Sequence, residues 1–254
     1  MRPRLSLPEA LARLPGNVDA ADVAAVGETS SADVFRVTVG GRLAVLRIVD
    51  RGSDMAAQLA AQRQAAAAGI APAVLLAAPD AGLLLTDYAP GTVLTATAME
   101  DTDSVAAVGR LLRRLHDLPR LGVTLDLEAA ARRYLGQCTA PARSSAVKAE
   151  REVRALLADV DDRPGVPCHN DPVAQNFVLG ESLTLLDWEY AADNDPLFDL
   201  AVVSAHHDLA SRRRDALLRS YCSASFEENR RRLPTWEAIY RRIYELWSVA
   251  RGKP

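Results

Sequence analysis

The hydrophobic pattern of this chain changes period once, near Tyr88-Ala89-Pro90-Gly91, and that change demands two kinds of folding unit from one polypeptide. Before it, apolar residues alternate as they do on half-buried strands. Residues 34–39 (VFRVTV) and 43–49 (LAVLRIV) flank a Gly40-Gly41 turn and read as a hairpin. An alanine-rich stretch, 54–68, reads as a helix closed by Gly69 and followed by Pro72. Two more apolar runs, AVLLAAP and GLLLTDY, are parted by Pro79-Asp80-Ala81-Gly82, a turn sequence. After the break the period becomes helical. Val105, Val108, Leu111, Leu112 and Leu115 share one face of 104–116, and further helices are expected over 128–137, 144–159, 211–223 and 234–250. Between these helices, 167–199 reads as one irregular acidic region. The expectation is an α+β chain with a small antiparallel-sheet lobe, a short hinge and a mostly helical lobe.

Composition removes several function classes. The 254 residues carry 30 Lys and Arg against 33 Asp and Glu, without the basic excess a nucleic-acid surface needs. The short basic runs 212–214 and 230–232 read as solvated helix faces. No stretch of 18 apolar residues suggests a membrane span, and 1–16 is not expected to be a signal peptide because Pro8 breaks its short apolar run. Cys138, Cys168 and Cys222 are too few and too scattered for a disulfide framework or a zinc site, which points to the reducing cytoplasm. No obligatory protein partner is indicated.

The chemistry concentrates in 167–201, PCHNDPVAQNFVLGESLTLLDWEYAADNDPLFDLA. Its first element is His169-x-Asp171-x4-Asn176. A carboxylate five residues ahead of an amide on one loop sets the former against a substrate hydroxyl and the latter against a metal. Phosphoryl transfer asks this of a protein, because its contribution is positioning and charge neutralisation. Residues 177–179 and 183–186 then read as a hairpin around Gly180-Glu181-Ser182, with Asp187 at its exit. Alone, an aspartate after a strand is commonly a turn or cap residue. With Asn176 and phosphate oxygens it completes a hard-oxygen set suited to Mg²⁺.

This run resembles the signature of the choline/ethanolamine kinase family, within the superfamily of aminoglycoside phosphotransferases and protein-kinase-like enzymes. HNDPVAQNFVL is similar to that family's phosphotransfer loop, and LLDWEYAADNDPLFDLA to its metal-binding aspartate with the pattern that follows. Weaker echoes are VLRI (45–48), GIAPAVL (69–75), TDYAPG (86–91) and RLLRRLHDLP (110–119). The resemblance implies a bilobal protein-kinase-like fold, with a nucleotide-binding lobe over 1–87 and a catalytic and substrate-binding lobe over 88–254. It implies ATP and Mg²⁺ as cofactors and direct in-line transfer to a small, cationic alcohol such as choline. Asp171 becomes the catalytic base, and Asn176 and Asp187 the magnesium ligands. Arg47 takes the phosphate-binding strand position, and Asp87 to Ala89 offer hinge backbone to adenine. His169 braces the loop, and Asp199 bonds its backbone. Two departures stand out. Gln58 replaces the helix glutamate expected to pair with Arg47, and the phosphate loop 27–32 has one glycine, leaving Ser30 and Ser31 as donors. Acceptors other than choline (an aminoglycoside, thiamine or a sugar) and a non-catalytic nucleotide-binding relative are the alternatives.

The C-terminal aromatics bear on the acceptor independently. Trp236, Tyr240, Tyr244 and Trp247 recur at spacings of four, four and three, so they share a helix face. That face reads either as core packing or as an aromatic wall for a quaternary ammonium, which π faces hold without hydrogen bonds. Glu189, between Trp188 and Tyr190, offers a counter-charge. His206 and His207 diverge by about 100° on a helix, so they cannot chelate one ion and read as ordinary helix residues. Cys168 reads as a small buried residue rather than a nucleophile.

Overall fold

The computed structural model describes residues 4–28, 32–51, 55–139, 142–161 and 163–252, which form two compact units. One comprises Met1–Thr92 with Val178–Glu189, the other Val93–Phe177 with Tyr190–Pro254. The chain thus passes from the second unit into the first and back through the hairpin that follows Asn176.

The first unit holds α1 (Leu7–Leu11), β1 (Val18–Glu28), β2 (Ala32–Val39), β3 (Arg42–Val49), α2 (Ala56–Ala67), β4 (Val74–Ala78) and β5 (Leu83–Asp87), and β6 (Thr92–Val93) lies at its boundary. The five longer strands make one antiparallel sheet in the order β1-β2-β3-β5-β4. Sequence reasoning misses β1. It is rich in alanine, a weak strand former, and its register with β2 shifts twice, so pairing rather than propensity holds it. On β3, Ala44, Leu46 and Ile48 enter a core shared with Val37, Leu83, Leu85 and α1. Each buried leucine or isoleucine there contributes about 1.5–3 kcal/mol. Alternation turns Arg47 to the other face, where its cross-strand partner Leu84 packs on Leu59 of α2 and on Met55, which caps that helix.

The second unit holds α3 (Thr102–His116), α4 (Leu127–Gln137), α5 (Arg143–Ala158) and β7 (Val166–Cys168). Strands β8 (Phe177–Leu179) and β9 (Leu183–Leu185) then form the hairpin, and β10 (Ala192–Asn194), α6 (Pro196–His206), α7 (Ser211–Cys222) and α8 (Phe226–Ala250) follow. The five apolar positions predicted on α3 are all buried, and Asp101 caps its start by accepting from the Ser104 N–H at 2.8 Å. Two helices depart from expectation. Helix α6 lies within and beyond the stretch read as irregular. It is buried on nearly every side, so its sequence shows no polar stripe to betray a period. Helix α8 begins at Phe226 and runs through Pro234, which sequence reasoning takes as its start; buried Phe226 and Leu233 anchor the extra turns. No helix among the described residues is long and apolar enough to cross a membrane.

Candidate active site

In the second unit, the chain leaves β7 at Cys168 and enters the loop that carries Asp171 and Asn176. Asn170 adopts a left-handed φ of 66°, a conformation few non-glycine residues take. Its side chain makes this turn stable: Nδ2 donates to the carbonyls of Tyr190 (2.9 Å) and Ala192 (3.2 Å), and Oδ1 accepts from Asn194 Nδ2 at 2.9 Å. Asp171 and Asn176 are then locked together. The Asp171 carbonyl accepts from the Val173 N–H (2.9 Å) and from Asn176 Nδ2 (2.8 Å). The amide nitrogen of Asn176 is therefore spent on the loop, which fixes Oδ1 as the atom it offers elsewhere. The Asp171 residue is half-buried.

Asp199, fully buried on α6, braces this loop. Its oxygens accept from the His169 N–H (2.9 Å) and the Asn170 N–H (2.7 Å), and Oδ2 also meets His116 Nε2 at 3.0 Å. A carboxylate only accepts, so Nε2 of His116 carries a proton; Nδ1 lies 3.0 Å from the Tyr221 hydroxyl. The Tyr221 hydroxyl is itself pushed up from its ordinary value by burial. His116, Cys168 and Asp199 place potential ligand atoms within 4.8 Å of one another. The group is nonetheless a bracing network, because burial pushes the Cys168 thiol well up and its sulfur points at the Asn194 and Asp195 carbonyls. Sequence reasoning places Asp199 under the loop but assigns no role to His116, which no local pattern distinguishes from any other helical histidine.

The first unit carries the other polar set. Asp187 follows β9 with φ 60°, and its Oδ1 accepts from Arg47 Nη1 at 2.5 Å. Glu189 lies 3.9 Å from Arg47 Nη2. The cation on β3 is thus paired with Asp187, where sequence reasoning gives it Gln58. Among the described residues Arg47 Nε is buried without a hydrogen-bond partner, a donor left for a further anion. The hairpin is seated by Trp188, whose buried indole donates to the Leu185 carbonyl at 3.1 Å. It is also seated by a glycine crossing. A Cβ on Gly91 would lie 2.4 Å from the Leu179 carbonyl oxygen, and one on Gly180 2.4 Å from that of Pro90.

The remaining predicted positions divide. The Asp87 carboxylate is paired with Arg42, and its N–H donates to Ala73; Ala89 follows, half-buried. Ser30 and Ser31 lie outside the described residues. The aromatic face of α8 changes character along its length, although the helix stays packed to its end, where Leu246 is fully buried. Trp236 and Tyr240 are buried, both edge-on to Phe198 at centroid separations of 6.1 and 6.3 Å. Tyr244 is 43% exposed, 5.9 Å from the Tyr240 ring and stacked on Trp247 at 5.7 Å. Arg251 lies over Trp247. Burial, with the charge of nearby Asp171 adding to it, pushes the Tyr240 hydroxyl up from its ordinary value. Tyr240 therefore lies within electrostatic reach of the Asp171 loop, a neighbourhood 69 residues apart in sequence and invisible there.

Residues 22–236 match the phosphotransferase enzyme family. The chain is similar to thiamine kinase of Salmonella paratyphi B, 31% identical over 185 residues that cover 72% of this chain and 61% of that enzyme. It is also similar to LicA of Haemophilus influenzae, 45% identical over 58 residues, 22% of each chain. Both matches span less than two thirds of the relative. A choline/ethanolamine kinase family protein from Mesorhizobium loti shares the fold at a TM-score of 0.73, with 27% identity over 97% of this chain and 86% of that one. The matched residues contain the Asp171 loop, its bracing network and the Arg47–Asp187 pair, and the chain belongs to the phosphotransferase enzyme family.

Proposed function

We propose that this chain transfers the γ-phosphate of ATP, with Mg²⁺, to the hydroxyl of a small cationic alcohol, choline or a similar amino alcohol. The observation that carries the reading is the locked Asp171–Asn176 loop. It presents a half-buried carboxylate, which is to accept a hydroxyl proton, and a single oriented amide oxygen, Asn176 Oδ1. That oxygen and the Asp187 carboxylate are hard donors that fit magnesium, which when bound neutralises phosphate charge. Arg47, with a spare buried N–H, suits phosphate oxygens, and the backbone of Asp87 to Ala89 suits adenine. Transfer is direct, from phosphate to the hydroxyl that Asp171 orients.

The acceptor class rests on the α8 aromatics. The exposed Tyr244 offers π surface next to the buried Tyr240, which feels the Asp171 charge of a loop that needs a hydroxyl, and this matches an alcohol bearing a fixed positive charge. Glu189, beside Arg47, adds negative charge on the first unit. Thiamine is the second reading, favoured by the similarity to thiamine kinase over 185 residues. It shares with choline a quaternary nitrogen and a primary hydroxyl.

The test is phosphate transfer from ATP–Mg²⁺ to choline, ethanolamine, thiamine, an aminoglycoside and a neutral sugar, with products followed by mass spectrometry. Transfer to choline or thiamine, abolished by Asp171→Asn, is the expected result. Transfer confined to the aminoglycoside or sugar overturns the acceptor reading. ATP binding by calorimetry with no transfer to any acceptor overturns the catalytic one.

A further inference from the structure

We infer that His206 and His207 act as a bracket at the end of α6, one imidazole holding the phosphotransfer loop and the other the acceptor-side aromatics. Helix α6 ends at His206, and His207 follows as its C-cap before Asp208 turns left-handed at φ 44°. The Leu209 N–H closes this end on the Ser204 carbonyl at 3.0 Å. Adjacent side chains on a helix diverge by about 100°, so the two rings reach different partners from one rigid support. The rings themselves meet edge to face at 5.0 Å.

His207 Nε2 accepts the backbone N–H of Ala174 at 3.1 Å. Ala174 is buried and opens the single 3-10 turn, Ala174–Asn176, that ends in the magnesium-assigned amide. The first N–H groups of a helical turn have no acceptor within it, and this one is satisfied by the imidazole. The acceptor role requires an unprotonated Nε2, so the ring is neutral with its proton on Nδ1. Its surroundings agree: burial and the neighbouring His206 hold His207 down at about 4, against the opposing pull of Asp208.

His206 faces the other way. Its Nδ1 shares a hydrogen bond of 2.7 Å with the Tyr240 hydroxyl, and its ring lies edge-on to Tyr244 at 5.3 Å. Tyr240 in turn is within reach of the Asp171 charge. One helix end therefore sets both the loop that positions phosphate chemistry and the tyrosine pair assigned to the cationic acceptor. Neither histidine touches the reacting atoms; they are positioning residues, and a misplacement of about 1 Å in such a part costs on the order of 10²-fold in rate.

The role of His206 in acceptor binding rests on the function proposed above, so the experiment separates the two. Glutamine carries a polar atom where histidine has Nε2, and asparagine one where histidine has Nδ1. His207→Ala and His207→Asn are expected to lower kcat about 10- to 100-fold with KM for the acceptor within threefold, and His207→Gln to restore most of the loss. His206→Ala and His206→Gln are expected to raise KM for choline or thiamine about tenfold with kcat within threefold, and His206→Asn to stay near wild type. Amide exchange of the 171–177 segment, followed by mass spectrometry, should quicken at least tenfold in His207→Ala and remain unchanged in His206→Ala. Asn and Gln acting alike at either position, both histidines moving the same parameter, or unchanged exchange in His207→Ala overturns the bracket. A wild-type protein that phosphorylates none of the alcohols, yet shows the exchange pattern, overturns the proposed function and leaves the loop tether standing.

Discussion

Two aspartates assigned to the same reaction are held by opposite means. Asp187 stands at the exit of a three-residue strand, at φ 60°, and is anchored by an ion pair with Arg47 of β3. Asp171 stands on a loop whose backbone hangs on a fully buried carboxylate, a left-handed asparagine and a histidine from the end of α6. The first arrangement is electrostatic and adjustable, because an ion pair reorganises when another charge arrives. The second is a hydrogen-bond lattice built on the buried Asp199 and Asn170, which does not yield without local unfolding. A group that shares a metal with phosphates gains from adjustability, whereas one that orients a hydroxyl gains from a fixed position.

The largest expected effect breaks this contrast at its functional end. Asp171→Asn should lower kcat by about 10³-fold, the scale of a lost general base, and no excess of Mg²⁺ should restore it. Asp187→Asn should instead raise the Mg²⁺ concentration for half-maximal rate at least about tenfold, so that its activity recovers as metal is added. Steady-state rates over a magnesium titration measure both. Equal behaviour of the two variants would mean that the aspartates share one role.

Asp199 tests the lattice itself. Removing its carboxylate in Asp199→Ala orphans two buried backbone N–H groups and the His116 ring, each costing about 1–3 kcal/mol. A loss of about 3 kcal/mol in urea unfolding is expected, together with reduced kcat at unchanged ATP affinity. Asp199→Asn keeps one acceptor and should lose less. If stability held and only kcat fell, Asp199 would be a chemical participant and the bracing account would fail.

How much of this was legible in the sequence follows from the same contrast. The hairpin of β2 and β3, helices α3 to α5, and the Asp171, Asn176 and Asp187 spacing are local, and local patterns expose them. The α6 helix is not, because burial on all sides erases the periodicity that marks a helix at a surface. β1 is equally silent, its strand state imposed by β2. At the site, the partners of each residue were hidden for a different reason. Arg47 meets Asp187 across 140 positions, and His116 meets Asp199 across 83. No spacing rule reaches that far, and Gln58, which a helix position suggested for Arg47, lost to a carboxylate that only the folded hairpin delivers. The aromatic spacing on α8 is local, but which of its rings are core and which exposed is set by tertiary packing, with Trp236 and Tyr240 buried and Tyr244 open.

A smaller effect probes the adjustable side. Arg47→Met keeps much of the side-chain volume and removes the charge that faces Asp187. It is expected to raise KM for ATP about tenfold, with an unfolding free energy within about 1 kcal/mol of wild type because the pair is partly exposed. A large loss of stability with unchanged KM would make Arg47 part of the lattice rather than of nucleotide binding.

The smallest effect uses pH to address one unit alone. All four histidines, His116, His169, His206 and His207, lie in the second unit. Burial and His206 hold His207 at about 4, and burial also lowers His206, with Asp208 opposing both. An unfolded histidine titrates near 6.5, so between about 6.5 and 4 the unfolded chain binds more protons than the folded one. Stability is therefore fully present above about pH 6.5 and falls as pH drops through that window. His207 keeps a solvent-facing edge, and after discounting for screening the loss is about 1 kcal/mol. Urea midpoints measured from pH 7 to pH 4.5 should show this slope, and His207→Gln, which accepts from Ala174 without titrating, should reduce it to the part that His206 contributes. A slope undiminished in His207→Gln would place the sensitive group elsewhere and leave the Ala174 tether indifferent to protons.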